Sequence, residues 1–173
     1  MRNSEQTRRT LMSQALAASA ATVALASTAQ RAEAGATKDK AFTRDQFERY
    51  VARYNAADPA VAAFYANDIV METAPPLHGV AEVLLFRQEL RAYVVDTIHV
   101  EHYVADEHSV AAQCLAEFRC VRDMPLNAMS GLFGRAVRKG HVLKQRGAML
   151  YGVANGQFTF IRPFPPIVLQ DWG

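Results

Sequence analysis

The chain is poor in the features that most often betray a chemistry. It has two cysteines in 173 residues, Cys114 and Cys120. They stand in one stretch that reads as a strand, so at about 3.3 Å per residue their backbones lie roughly 20 Å apart. A disulfide needs Cα atoms within about 7 Å, which excludes a bridge between them. Both read as small buried apolar residues. No HxH, HExxH or CxxC spacing occurs, so no metal site is expected. His99 and His102 are three apart, and a strand sends them to opposite faces. GxSxG, GxGxxG and phosphate-loop patterns are also missing, and no cofactor is expected. An excess of one charge is lacking too, with 19 basic against 17 acidic residues. Arg135, Arg138 and Lys139 form the one basic cluster, too small a footprint for neutralising phosphates, so nucleic acid is not an expected partner. No internal repeat is present.

What the chain does have is a leader. Thr7-Arg8-Arg9-Thr10-Leu11-Met12 places paired arginines before an uncharged run, Leu11 to Ala29, of mostly Ala, Leu, Val, Ser and Thr. Arg31 follows, and Ala32-Glu33-Ala34 offers a small-x-small cleavage site. That order is an export signal's, and the arginine pair resembles the twin-arginine type. The run approaches the roughly 20 residues that a membrane anchor needs, but it is weakly hydrophobic, so no integral membrane protein is expected. A mitochondrial presequence would be acidic-poor, whereas Glu5 and Glu33 lie here. Residues 1–34 thus read as a signal cleaved near Ala34-Gly35, which points to a periplasmic or secreted protein. Without the leader's four arginines and two glutamates, the remaining 139 residues carry 15 charges of each sign. That length suits one domain with a sizeable core.

Residues 35–42 read as a linker. Thr43 and Gln46 form a capping box for a helix with Phe47, Tyr50, Val51 and Tyr54 at helical spacing. Asp58-Pro59 starts a second short helix. Ile69 to Thr73 reads as a strand, stopped by Pro75-Pro76, and Val80 to Ala92 as a third helix. Then the period becomes two. Strands are expected at Val95–Ala105, Val110–Val121, Val142–Ala154 and Gln157–Arg162, the last pair joined by Asn155-Gly156, a strong hairpin signal. In the first hairpin paired positions sum to about 214. Even positions then share an apolar face that holds Ile98, Val100, Cys114 and Phe118, while the odd face is polar, as one-sided burial requires. In the second, Val153 pairs with Phe158, Tyr151 with Phe160, and Met149 with Arg162. Residues 124–139 are a long connection that reads as a lid, a dimer arm or a disordered insertion. Residues 165–173 form an extended tail.

This order resembles the nuclear-transport-factor-2-like superfamily, in particular its SnoaL-like and ketosteroid-isomerase-like members, over residues 43–164. The best local matches are Ala52-Arg53-Tyr54, Phe64-Tyr65-Ala66-Asn67-Asp68, Leu77-His78-Gly79, Asn155-Gly156-Gln157-Phe158 and Ile161-Arg162-Pro163-Phe164. The resemblance implies an α+β fold, a curved antiparallel sheet wrapped around three N-terminal helices as a cone with an internal cavity. It also implies a small hydrophobic ligand and a homodimer formed through the outer sheet face. Tyr54 falls at the family's catalytic tyrosine. The isomerase's base and second aspartate would fall at Thr73, beside Glu72, and at Ala148, so that set is incomplete.

The candidate chemistry is therefore read from polar residues on the apolar face, where an unpaired polar group is costly. His102 and Asp96 stand there by the strand parity. His102 is either a general acid or base or a hydrogen-bonded core histidine. Asp96 and Tyr54 either support it or are a rim carboxylate and a core tyrosine. Tyr151, Phe118 and Phe160 are expected to line the cavity and bind the substrate; Arg162 either pairs with Asp96, clamps an anionic ligand or is a surface arginine at a strand end, and His78 either rims the cavity or is exposed to solvent. Two functions fit: an exported enzyme of isomerase, cyclase or lyase type using cofactor-free acid–base chemistry on a hydrophobic, aromatic or polycyclic molecule, or a non-catalytic binding or assembly module of the same fold.

Overall fold

The computed structural model describes residues 41–173. The expected export signal, residues 1–34, and residues 35–40 of the expected linker lie outside the described residues. Thr43 caps α1 (Arg44–Asn55): its Oγ1 accepts the Gln46 N–H at 3.2 Å, and the Gln46 side chain accepts the Thr43 N–H at 2.8 Å. Both orphan donors of the helix start are thereby satisfied. Phe47, Tyr50 and Val51 are its buried face. Asp58 caps a six-residue 3-10 turn, Pro59–Phe64, through its carboxylate and the Ala60 N–H. There follow β1 (Tyr65–Met71), the two-residue β2 (Leu77–His78) and α2 (Gly79–Arg91). Long strands complete the chain: β3 (Val94–Ala105), β4 (Ser109–Cys120), β5 (Val142–Ala154) and β6 (Gln157–Pro163), with a short β7 (Ile167–Gln170) in the tail.

The strands form one curved sheet in the order β2-β1-β6-β5-β4-β3, with β7 also paired to β5. Two expectations need correction. The sheet is mixed, because β1 runs parallel to β6. Nearly the whole domain intervenes between them, and a long crossover, unlike a tight turn, permits parallel pairing. There are two α-helices where three were expected, since Pro59–Phe64 is a 3-10 turn.

The registers are interrupted by bulges. In β3–β4 the pairs from Val94↔Cys120 to Val100↔Cys114 follow the expected sum, but the next pair is His102↔Gln113. Glu101 is the extra residue, and beyond it every side chain changes face. In β5–β6, Val153↔Phe158 is as expected, after which Gly152 faces Phe160 and Tyr151 faces Ile161. Such bulges bend a strand and add local twist.

An aromatic core fills the space between α1 and the sheet. Phe47, Tyr50, Tyr65, Tyr151 and Phe158 are all but inaccessible to solvent. Phe42, from the linker, joins them with its ring 4.8 Å from that of Phe158. A second cluster gathers Leu90, Val94, Met124, Val137, Leu143 and Trp172. It ties residues 124–137 and the tail to one end of the sheet. Cys114 and Cys120 are buried and unbridged. Among the described residues no helix is long and apolar enough to cross a membrane.

Candidate functional site

A pocket of about 390 Å³ opens between α1, α2 and the concave face of the sheet. Phe118, Met149, Tyr151 and Ile161 supply apolar walls from β4, β5 and β6, and Leu132 and Phe133 contribute from the 124–139 connection. The Phe133 ring is held in place edge-on to Phe118 and to Trp172. The connection therefore packs at the mouth of the pocket.

The polar groups converge at one end. Tyr54, on the last turn of α1, donates its hydroxyl to Asp96 Oδ2. Asp96 projects from β3, is 2% exposed, and precedes the bulge, so it keeps the inward parity expected of it. Its Oδ1 lies 3.3 Å from Arg91 Nη2 but accepts no hydrogen bond. The pair is coulombic, and the lone pairs of Oδ1 are unspent. Burial pushes the Tyr54 phenol well above the ordinary tyrosine range, and the Asp96 charge adds to the rise, while Arg87 opposes it. Tyr54 is thus a proton donor across the neutral range.

Asn55 fixes the geometry. Its side chain donates to the Ile98 carbonyl and accepts the Ile98 N–H, both at 2.9 Å. β3 is an edge strand, and these bonds occupy backbone groups that an edge leaves unpaired. They also clamp the end of α1 two residues from Asp96.

Two arginines complete the group. Arg87, 6% exposed, lies with its guanidinium carbon 3.6 Å from the centre of the Tyr54 ring and donates to the Tyr54 carbonyl at 2.9 Å. Arg91 donates to the Tyr54, Asn55 and Asp96 carbonyls at 2.9, 3.3 and 3.3 Å. Cations at the carboxyl end of a helix are favoured by its dipole. Neither arginine was anticipated, although the signal was present. Val83, Arg87 and Leu90 are the buried residues of α2, so Arg87 occupies an apolar phase of the helix.

Other expected residues are elsewhere. His102 is exposed, because the Glu101 bulge turns it out of the apolar face. Tyr103, partly buried, packs against the core in its place. Arg162 is exposed and forms a two-pronged ion pair with Glu72 at 2.6 and 2.9 Å. Phe160 lies across from Gly152, outside the pocket wall, since the second bulge turns it and Arg162 away. His78 is exposed before α2. Tyr151 and Phe118 do line the pocket. No group of three or more metal-ligating side chains occurs among the described residues.

No family model matches the chain, nor does any curated protein. Solved structures do share its fold, which is nuclear-transport-factor-2-like. A candidate polyketide cyclase from Xanthomonas campestris pv. campestris is 19% identical, with a TM-score of 0.57 over 69% of this chain and 86% of that one. An LEH-like epoxide hydrolase from Mycobacterium tuberculosis is 14% identical, with a TM-score of 0.52 over 68% of this chain and 77% of that one. Another Mycobacterium tuberculosis protein, seen with estradiol-17β-hemisuccinate, is 16% identical, with a TM-score of 0.53 over 69% and 89%. At these identities the likeness establishes the fold alone.

Proposed function

We propose that the protein is an enzyme that moves a proton on a small, largely apolar molecule held in the pocket, without a cofactor. One observation carries the reading: a buried carboxylate, Asp96, oriented by a tyrosine hydroxyl at the polar end of an otherwise apolar pocket. Polar groups in such surroundings are costly unless paired, and Asp96 keeps one oxygen, Oδ1, that accepts no hydrogen bond. The Asp96 carboxylate, which lines the pocket, takes the proton from a carbon made acidic by an adjacent carbonyl. Tyr54 holds Oδ2 and fixes the direction of Oδ1. Arg87, which lines the pocket, offsets negative charge as it develops on the substrate oxygen, which is electrostatic stabilisation by a group already in position. Returning the proton to a different carbon gives an isomerisation. Expelling a leaving group gives a lyase reaction, and attack on an internal carbonyl gives a cyclisation. His102 has no part in this scheme. A fused-ring body suits the pocket, in keeping with the steroid ester seen in the mycobacterial neighbour of the same fold. We place the reaction outside the cytoplasm on the export reading of residues 1–34, which mass measurement of the secreted protein's N-terminus tests.

The direct test is deuterium uptake by fused-ring ketones in D2O, followed by mass spectrometry. The parent protein should accelerate exchange, and Asp96→Asn should lower the rate by about 10²–10⁴-fold, the usual contribution of a positioned acid or base. His102→Ala and Arg162→Ala should leave the rate unchanged. An Asp96→Asn rate equal to that of the parent overturns the scheme. Binding without any acceleration would instead favour a non-catalytic ligand carrier.

A further inference from the structure

Arg87 brings a buried charge that no carboxylate of the described residues balances in an ion pair. The site holds two guanidinium groups, Arg87 and Arg91, against one carboxylate, Asp96, and Arg91 is the one that pairs with it. Arg87 forms no ion pair among the described residues. Its Nε is buried with no hydrogen-bond partner, Nη2 reaches a backbone carbonyl, and its other neighbours, the Tyr54 ring and the Tyr65 side chain, are uncharged. The carboxyl end of α1 offsets about half a unit of charge. A positive excess therefore remains beside apolar walls, and a buried charge without a counterion is unfavourable.

We infer that the ligand of this pocket is an organic acid: an apolar body bearing one carboxylate, which pairs with Arg87 as Asp96 pairs with Arg91. The inference rests on the pocket reading above and adds the substrate class to it. A carboxylate matches the charge and the planar donor edge of a guanidinium. A phosphate's second negative charge would exceed the positive excess.

The test is calorimetric titration of the full chain at pH 7 with naphthalene-2-carboxylate and with naphthalene-2-carboxamide, which share one ring body. The acid should bind at least about tenfold more tightly, as expected for a charge-assisted pair. Arg87→Met should bring the acid down to the level of the amide and leave the amide within about threefold of its parent value. Should Arg87→Met fail to fold, as its circular dichroism would reveal, the ratio in the parent protein decides alone. Equal affinities for acid and amide in the parent overturn the inference and leave the pocket reading intact. Failure of both probes to bind overturns the pocket reading and the inference together.

Discussion

Tyr50, Tyr54 and Tyr151 are each driven well above the ordinary tyrosine range, chiefly by burial. The consequence is a pH dependence with a definite sign. An unfolded tyrosine ionises near pH 10, while these three keep their protons in the folded state. The stability they supply is complete below about pH 10 and is lost above it. The loss is about 1.4 kcal/mol per pH unit for each phenol, until its folded value is reached. Denaturant unfolding at pH 9 and pH 11 should show this fall, and absorbance at 295 nm should show these three ionising only as the chain unfolds. Ordinary ionisation of all six tyrosines in the folded protein would contradict the burial assigned to them. Cys114 behaves alike, its thiol pushed up to about 11 by burial. That suits a packed apolar residue better than a nucleophile.

At the scale of elements, single-residue insertions in the ladder decide which side chains meet the ligand. Position 101 makes the point. Tyr103 belongs by alternation to the polar face, yet its ring sits 5.4 Å from Phe47 and its hydroxyl bonds the Phe42 carbonyl. Val104, expected inside, is 71% exposed. Tyr103→Ala should therefore cost about 2 kcal/mol or more, and Val104→Ala less than about 0.5 kcal/mol, measured by urea unfolding. The reverse ranking would refute the bulge. A second test lies at Gly152, where an added Cβ would overlap the Phe160 ring and lie 2.7 Å from Thr159 Oγ1. Gly152→Ala should cost about 1–3 kcal/mol by overpacking. The double variant with Phe160→Ala should recover part of that loss, and an unaltered melting temperature in the single variant would contradict the second register.

These bulges mark the boundary of what could be read from the residues. Asp96 lies before the bulge in β3, and strand parity placed it inside. The capping box at Thr43, the cap at Asp58 and the Asn155-Gly156 hairpin are local signals, and each appears in the structure. His102, Phe160 and Arg162 lie beyond bulges, and nothing local in the sequence announces an extra residue in a ladder. Arg87 escaped for another reason. Its phase on α2 was readable, but a charged residue is ordinarily taken for a solvated one, and only the end of α1 and the Tyr54 ring explain its burial.

For the molecule as a whole, the two clusters divide the work. The aromatic core under α1 sets the closed end of the pocket. The second cluster, with Trp172 and Met124, anchors the tail and the 124–139 connection so that Phe133 and Leu132 stand at the mouth. In the proposed reaction this space receives a small molecule whose polar end meets Tyr54, Asp96 and Arg87. The most direct measurement is a crystal structure of the protein grown with saturating naphthalene-2-carboxylate. Its rings should lie against Phe118, Met149 and Tyr151, with the carboxylate within hydrogen-bond distance of Arg87. A pocket filled by the protein's own side chains, with the acid bound elsewhere, would contradict it.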